Sequence, residues 1–175
     1  MSEVLRDRLV PSLLDRLTDT DPSKTVEARD GGMLTLSQLR ACVLRDLNWL
    51  FNASRLEDAE ALDEKRLLSR YPNVQRSVVN FGLPALTGHT ASGLNMTDVE
   101  QSLREAILIY EPRLIADTLV VKSVVEGDDM GNHNVIAFQI EASLWAQPTP
   151  MALLIHTELD LESGQSRVTE SKPRR

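Results

Sequence analysis

The chain has 175 residues, of which 42% are hydrophobic and 26% charged, a composition ordinary for one soluble globular domain with a substantial core. Its formal net charge of −7 at pH 7 argues against a general nucleic-acid-binding protein, because phosphate contacts require a basic surface. No segment approaches the ~20 apolar residues of a membrane-spanning helix, and the mixed charges of MSEVLRDRLV are not those of a secretory signal. The single cysteine, Cys42, permits no internal disulfide, which favours a location in the reducing cytoplasm.

Two helices are predicted in the first third of the chain, joined by a polar connection. Residues 2–18 contain a short amphipathic segment with leucines on one side, and a stretch rich in turn-forming residues follows. The second helix begins at a capping box formed by Thr35 and Gln38. Its apolar stripe consists of Leu36, Leu39, Val43, Leu47 and Leu50. Trp49 and Phe51 lie off this stripe, so the helix is expected to make contacts on a second side.

Cys42 lies at the border of that stripe and has two interpretations. As a structural residue it is a small buried hydrophobe, and as a functional residue it would be a nucleophile. The structural interpretation is favoured, because no histidine is close to it in sequence and cysteine is commonly buried.

The middle of the chain contains a charged segment and then a loop. Residues 53–70 have acids followed by bases, the order that suits a helix dipole, and predict one exposed helix with a solvated face. Residues 71–88 carry apolar residues interrupted by Gly82, Pro84 and Gly88, which prevent any long element. These residues predict a structured loop that lies over the core.

The next helix is predicted at residues 97–110. Thr97 and Glu100 have the spacing of a capping box at its start. Apolar residues then recur at steps of three and four, which places them on one face. They are Val99, Leu103, Ala106, Ile107 and Tyr110.

A rigid corner is predicted where this helix ends. Pro112 cannot donate to the helix ladder and disfavours helical angles at Glu111, so the helix is expected to end near Tyr110. Glu111 and Arg113 therefore flank an extended corner between an apolar helix and a β-branched run. An acid and a base held in this way are placed to make specific polar contacts.

Three strands are predicted after the corner. Residues 114–126 form the β-branched run, residues 127–134 have the composition of a hairpin loop, and residues 136–144 and 153–161 alternate apolar and polar side chains. The short connections imply a small antiparallel three-stranded meander, whose apolar face the helices cover. The predicted fold class is therefore α+β.

One domain is expected, because a single set of elements surrounds a single predicted core. This domain covers residues 1–164. Residues 165–175 are polar and end in Lys-Pro-Arg-Arg, so we expect them to form a mobile polar and basic tail.

The sequence indicates no metal or cofactor site. His89, His133 and His156 are far apart and lack the spacing of metal ligands, so they are interpreted as surface histidines. A phosphate-binding glycine loop and a nucleophile elbow are also missing from the sequence. We therefore expect no cofactor, no metal and no catalytic residue.

Glu111 is the best candidate for an acid in glycoside hydrolysis, which needs two facing carboxyl groups. Its apolar neighbourhood would favour a protonated carboxyl, whereas Arg113 would favour the ionised form. Glu105 is only a guess for the second acid, and few aromatic residues are available to line a sugar cleft. A peptidoglycan-cleaving muramidase that uses Glu111 is therefore kept as an alternative.

Several sequence blocks, taken together and in order, carry a family resemblance. They are SLLDRLTD, RDLNWLFN, SVVNFGLP, IYEPRL and TELDLESG. In this order the chain resembles the TssE family of type VI secretion baseplate proteins, which is related to a wedge protein of contractile phage tails. The resemblance covers most of the chain, from Leu13 to Gly164. Its most specific marker is the triplet Glu111, Pro112 and Arg113.

The resemblance implies a structural subunit rather than an enzyme. Such a protein would bind other baseplate wedge proteins and contractile sheath proteins, with Glu111, Pro112 and Arg113 at the sheath-side contact, so that sheath assembly starts there. It would sit in a baseplate at the cytoplasmic side of the inner membrane, without inserting into the membrane and without binding nucleic acid. A generic protein–protein adaptor with partners outside secretion is the other alternative.

Two routes to partner contact follow from the predicted fold. A small meander has free edges, and a free edge can accept a strand from another chain. Glu111 or Arg113 could pair with a charged group of that partner. An internal Glu111–Arg113 interaction that only stabilises the corner is equally compatible with the residues, and the resemblance favours the partner contact.

Overall fold

The computed structural model describes residues 11–18, 22–23, 34–56, 68, 70–124, 134–146 and 149–171. In these residues the α-helices are α1 (Leu13–Leu17), α2 (Leu36–Phe51), α3 (Pro72–Gln75) and α4 (Met96–Tyr110). The strands are β1 (Val120–Val124), β2 (Val135–Leu144), β3 (Met151–Asp160) and β4 (Ser166–Glu170). The α+β class is confirmed.

The strands form one antiparallel sheet in the order β1-β2-β3-β4. In its register Phe138 of β2 lies between Ser123 of β1 and Thr157 of β3. Alternate residues of β2 and β3 are buried on the same face of the sheet, as the alternation of apolar and polar side chains predicted. The meander is therefore confirmed, but with one strand more than expected.

The fourth strand, β4, corrects the prediction of three strands. It is formed by residues that were expected to belong to the mobile polar tail. A turn at Asp160 connects β3 to β4. The Asp160 carboxylate accepts hydrogen bonds from the Glu162 and Ser163 amides, and Gly164 completes the turn at φ +69°. As an edge strand with largely exposed residues, β4 carries little apolar signal, which is why its composition resembles that of a tail.

The predicted first strand begins later than expected. Leu114 makes only an isolated bridge to Leu144, a 3-10 turn occupies Ala116–Thr118, and β1 starts at Val120. The Thr118 hydroxyl donates to the Ile115 carbonyl at 2.7 Å, which closes the turn. A β-branched residue therefore favours a turn here through its hydroxyl group.

The ends of the helices follow local side-chain chemistry. Thr35 and Gln38 form the predicted capping box, and α4 ends at Tyr110 as expected. The start of α4 differs, because Asn95 is the N-cap and accepts from the Thr97 amide at 3.1 Å. Glu100, expected in a capping box, instead accepts from the Ser123 amide of β1.

One hydrophobic core joins the two long helices to the sheet. It includes Leu39, Val43, Leu47 and Leu50 of α2, Val99, Leu103 and Ile107 of α4, and Ile136, Phe138, Ile140, Leu153 and Ile155 of the sheet. Leu36, predicted on the α2 stripe, is the first residue of the helix and is exposed instead. The core positions predicted on β2 and β3 are thus confirmed.

Some predictions fall outside the described residues. They are most of the charged segment at 53–70, nearly all of the hairpin loop at 127–134 and the beginning of the first amphipathic segment. Among the described helices, none has the length and apolar character needed to cross a bilayer.

Phe138→Ala should destabilise the chain by about 3–5 kcal/mol, because it empties a fully buried position in the centre of the sheet. Val135→Ala, at the exposed start of β2, serves as the control and should change stability little. Urea unfolding of both variants measures the difference, and an equal effect of the two would contradict this account of the core.

Candidate functional site

The predicted corner after α4 is hydrogen-bonded to the elements on either side. The Glu111 amide still donates to Ile107 of α4 at 2.8 Å, and the Leu114 amide donates to the Glu111 carbonyl at 3.2 Å. On the other side, the Trp145 amide, just after β2, donates to the Arg113 carbonyl at 2.8 Å. The corner therefore holds a fixed position between the end of α4 and the end of β2.

Glu111 and Arg113 form an internal ion pair at this corner. The Glu111 side chain is only 3% exposed. Its Oε1 accepts from the Arg113 amide at 3.2 Å and from Arg113 Nε at 2.6 Å, while its Oε2 accepts from Arg113 Nη2. The internal interaction that the residues alone left open is thus present. Both carboxylate oxygens of Glu111 are engaged by its own chain.

Arg113 also joins the corner to α2. Its Nη2 donates to Asp46 Oδ2 at 2.6 Å, and both side chains remain about one quarter exposed. Burial opposes the charge of Arg113, but the hydrogen bonds from its guanidinium to Glu111 and Asp46 outweigh it and raise the pKa of Arg113. The guanidinium is therefore held charged between two carboxylates.

The alternation of charges continues from Asp46 to α1. Asp46 Oδ1 accepts from Arg45 Nε at 2.8 Å, and Arg45 Nη1 donates to Asp15 Oδ1 at 2.6 Å. The hydrogen bond from Arg45 lowers the pKa of Asp15 to about 2, against the opposing effect of burial. Glu111, Arg113, Asp46, Arg45 and Asp15 thus form a continuous run, called here the charged run.

An open apolar groove of about 750 Å³ lies beside the charged run. Its lining includes Leu14, Leu39, Leu47, Trp49, Leu50, Val78, Phe81, Tyr110 and Pro112, together with Asp46, Glu111 and Arg113. On its rim Trp49 is 50% exposed and Val78 is 82% exposed. The blocks SLLDRLTD, RDLNWLFN, SVVNFGLP and IYEPRL, far apart in sequence, all contribute to this one surface.

The loop that carries Val78 is held in place by the end of α4. The Tyr110 hydroxyl shares its one hydrogen between the Asn80 carbonyl at 2.8 Å and the Ser77 carbonyl at 3.0 Å. The Tyr110 ring meets Phe81 edge to face at 5.1 Å. Gly82 follows at φ +133°, where a Cβ atom would lie 2.4 Å from the Ala53 carbonyl oxygen, so only glycine fits.

The other candidate residues are not brought to this groove as a catalytic or metal site. Glu105 is exposed, accepts from Gln101 and lines a separate cavity. His89 is exposed and His156 lies 3.5 Å from Glu158, while His133 is outside the described residues. Within the described part of the chain, no cluster of side chains could hold a metal ion.

Cys42 of α2 is half-buried close to the charged run. Burial, reinforced by the neighbouring Asp15 carboxylate, raises the pKa of the Cys42 thiol. A thiol with a raised pKa is a weak nucleophile at neutral pH, in agreement with the structural interpretation of this residue.

Four residues of this region were not predicted as parts of the site. The sequence patterns single out none of Asp15, Arg45 and Asp46, and for Trp49 they predict only a contact on a second side of α2. Of these four residues, only Trp49 could have been recognised from the local sequence. It is a large apolar residue outside the buried stripe of α2, and such a residue can indicate a binding surface. The pairing of Asp46 with Arg113 spans 67 residues and has no local signal.

Comparison with known proteins identifies a matching protein family. Residues 37–149 match the family model described as baseplate wedge protein gp25. The matched stretch covers well over half of the chain and contains α2 apart from its first residue, the loop with Val78, α4, the corner, β1 and β2. Comparison with curated protein sequences and with solved structures gives no significant match.

Arg113→Ala should lower the free energy of unfolding by about 3–5 kcal/mol, because it leaves the buried Glu111 carboxylate without its partner. At about 2–4 °C per kcal/mol for a domain of this size, the melting temperature should fall by many degrees. Arg45→Ala is the control, because it also removes an arginine, but from ion pairs that are more exposed. It should lower the free energy of unfolding by about 1 kcal/mol or less. Similar melting temperatures for the two variants would contradict an internal structural role for Arg113.

Proposed function

The chain belongs to the baseplate wedge protein gp25 family, and from this membership we propose that it is a structural subunit of a type VI secretion baseplate. In this role it binds other wedge subunits and helps to nucleate assembly of the contractile sheath. The family supports a baseplate wedge-like structural protein, and the order of the sequence blocks supports the secretion system rather than a phage tail.

The observation that carries the proposal is the apolar groove beside the charged run. Large contiguous apolar surfaces are rare on monomeric proteins and mark binding sites, and here a half-exposed tryptophan and a largely exposed valine lie on the rim of an apolar groove. Tryptophan and arginine are the residues that most often contribute strongly to protein–protein binding. Trp49 and Arg113 line the same groove, so we assign this surface to a wedge or sheath partner.

The three residues of the corner have different parts in the proposed contact. Pro112 is exposed and lines the groove, and Arg113 keeps about a quarter of its side chain accessible. These two residues are proposed to touch the partner. Glu111 is buried, so its proposed part is to hold the Arg113 guanidinium in place.

The subunit is proposed to act in the cytoplasm, within a baseplate at the cytoplasmic side of the inner membrane. Its negative formal charge supports partners that are proteins rather than nucleic acid. The alternative of a generic adaptor uses the same groove for partners outside secretion. The identity of the bound proteins separates the two functions.

Trp49→Ala should remove most of the binding to baseplate and sheath proteins while the chain stays folded, because the indole is a half-exposed part of the groove rim. Trp145→Ala is the matched control, since Trp145 is 54% exposed and does not line the groove. Co-purification from cells with both variants, followed by identification of the bound proteins, measures the effect. If wild-type chain recovers only proteins unrelated to secretion, the adaptor is supported instead.

The proposed structural role includes the absence of enzymatic activity. Both oxygens of Glu111 accept hydrogen bonds from Arg113, which leaves neither placed to give a proton to a glycosidic oxygen. Purified chain should therefore release no soluble fragments from peptidoglycan, and Glu111→Gln should leave any background unchanged. Robust cleavage that disappears in Glu111→Gln would establish the muramidase.

A further inference from the structure

Helix α1 is docked on the protein with its acidic side inward and its leucines outward. The Asp15 side chain faces α2 and is only 12% exposed, whereas Leu13 and Leu17 are 70% and 74% exposed. None of the residues of α1 is buried. A helix docked through an apolar face would show the opposite pattern, with its leucines in the core. The attachment of α1 therefore depends on a charge rather than on hydrophobic burial.

The polar contacts of α1 with α2 converge on the Asp15 carboxylate. Arg45 Nη1 donates to Asp15 Oδ1 at 2.6 Å, and the Cys42 thiol contacts the same carboxylate. Within α1, the Ser12 hydroxyl donates to Asp15 Oδ2 at 2.5 Å. Because 34% of the Arg45 side chain is exposed, this ion pair holds α1 less firmly than buried leucines would. The Asp15–Arg45 ion pair is called here the latch of α1.

Both halves of the latch are connected to the apolar groove. Leu14, next to Asp15 in α1, forms part of the groove lining. The Arg45 guanidinium lies 5.0 Å from the centre of the Trp49 ring, and Trp49 lines the same groove. Leu39 and Leu47 of α2 also line it but are almost fully buried while α1 is in place. The position of α1 therefore determines how much apolar surface the groove exposes.

We propose that α1 is an autoinhibitory strap on the groove, held closed by the Asp15–Arg45 ion pair, and that its release opens the groove to a partner. The inference rests on the proposed function, because it describes how access to that same groove is regulated. Since α1 belongs to the same chain as the groove, its docking is intramolecular, and it returns whenever the groove is empty. A partner therefore has to compete with α1.

Competition rather than protonation opens the strap. The hydrogen bond from Arg45 lowers the pKa of Asp15 to about 2, so this carboxylate stays ionised at physiological pH. Arg45 is the more accessible half of the latch, since a third of its side chain is exposed. A carboxylate of the partner can therefore reach Arg45 and take the place of Asp15. The partner that fits the opened groove has an apolar surface with an acidic group at its border.

The first test uses the full chain and measures how often α1 is released. Trypsin cuts after Arg16, in the middle of α1, and it needs this segment undocked and extended. The variants are Asp15→Asn and Arg45→Ala, which break the latch from opposite sides, and the two combined. Asp98→Asn is the control, because Asp98 is also an acid in the first turn of a helix, α4. Mass spectrometry follows the cleavage of the bond between Arg16 and Leu17.

Each single variant should raise the cleavage rate about threefold to fivefold, because losing a partly exposed ion pair raises the population of released α1 by that factor. The double variant should equal the single variants, since both changes break the same contact. Asp98→Asn should match wild type. An unchanged rate in Arg45→Ala would show that other contacts hold α1 and would overturn the latch, as would effects that multiply in the double variant.

The second test measures the opening of the groove with the neutral dye Nile red, whose emission rises on apolar surfaces. Asp15→Asn and Arg45→Ala should each bind the dye severalfold more tightly than wild type, because the released helix uncovers apolar surface. Adding Trp49→Ala should remove this gain, since the dye then loses part of the groove rim. Equal or weaker binding by Asp15→Asn would make α1 a fixed wall of the groove and overturn the strap.

Both tests are independent of the proposed baseplate role, because neither needs the natural partner. If the latch variants release α1 and bind more dye but recover no baseplate or sheath protein from cells, the strap stands and the baseplate role falls. If wild-type chain recovers such proteins while the latch variants release α1 no faster and bind no more dye, the baseplate role stands and the strap falls.

Discussion

The burial of the Glu111 carboxylate is the constraint on which the corner depends. A carboxylate almost fully removed from water is costly unless its oxygens are hydrogen-bonded to a cation. Arg113 meets that need from two residues away, and Pro112 between them restricts the backbone so that both side chains lie on the same side. Because Arg113 also binds Asp46, the corner joins α4 to α2 as well as to the end of β2.

Helix α4 connects the apolar groove to the first strand of the sheet. Its last residue, Tyr110, holds the loop that forms one side of the apolar groove, and the residues just after it form the corner. Its first turns carry Glu100, which covers the edge of β1. A rigid helix with its apolar face in the core thus sets the distance and orientation between a groove and a sheet edge.

The local sequence predicted helices whose ends are set by a capping residue or a proline, and strands with a regular alternation of apolar and polar residues. Thr35, Gln38 and Pro112 mark the limits of the two long helices, and the alternation in β2 and β3 places their core residues correctly. The prediction was wrong at the start of α4, where two residues could serve as the N-cap. Asn95 caps the helix instead of Thr97, so the Glu100 side chain is not used in a capping box and binds β1. It also failed for β4, whose polar composition is that of an edge strand as much as of a tail.

The groove is lined by segments that are far apart in sequence and are therefore translated at different times. During translation Asp46 and Trp49 are synthesised first and the loop with Val78 next. The corner follows last, because Arg113 lies 67 residues after Asp46. A nascent or truncated chain that ends before Arg113 has no surface of this kind to offer. Under the proposed function, recognition through the groove selects subunits that have been translated beyond the corner and have folded around it.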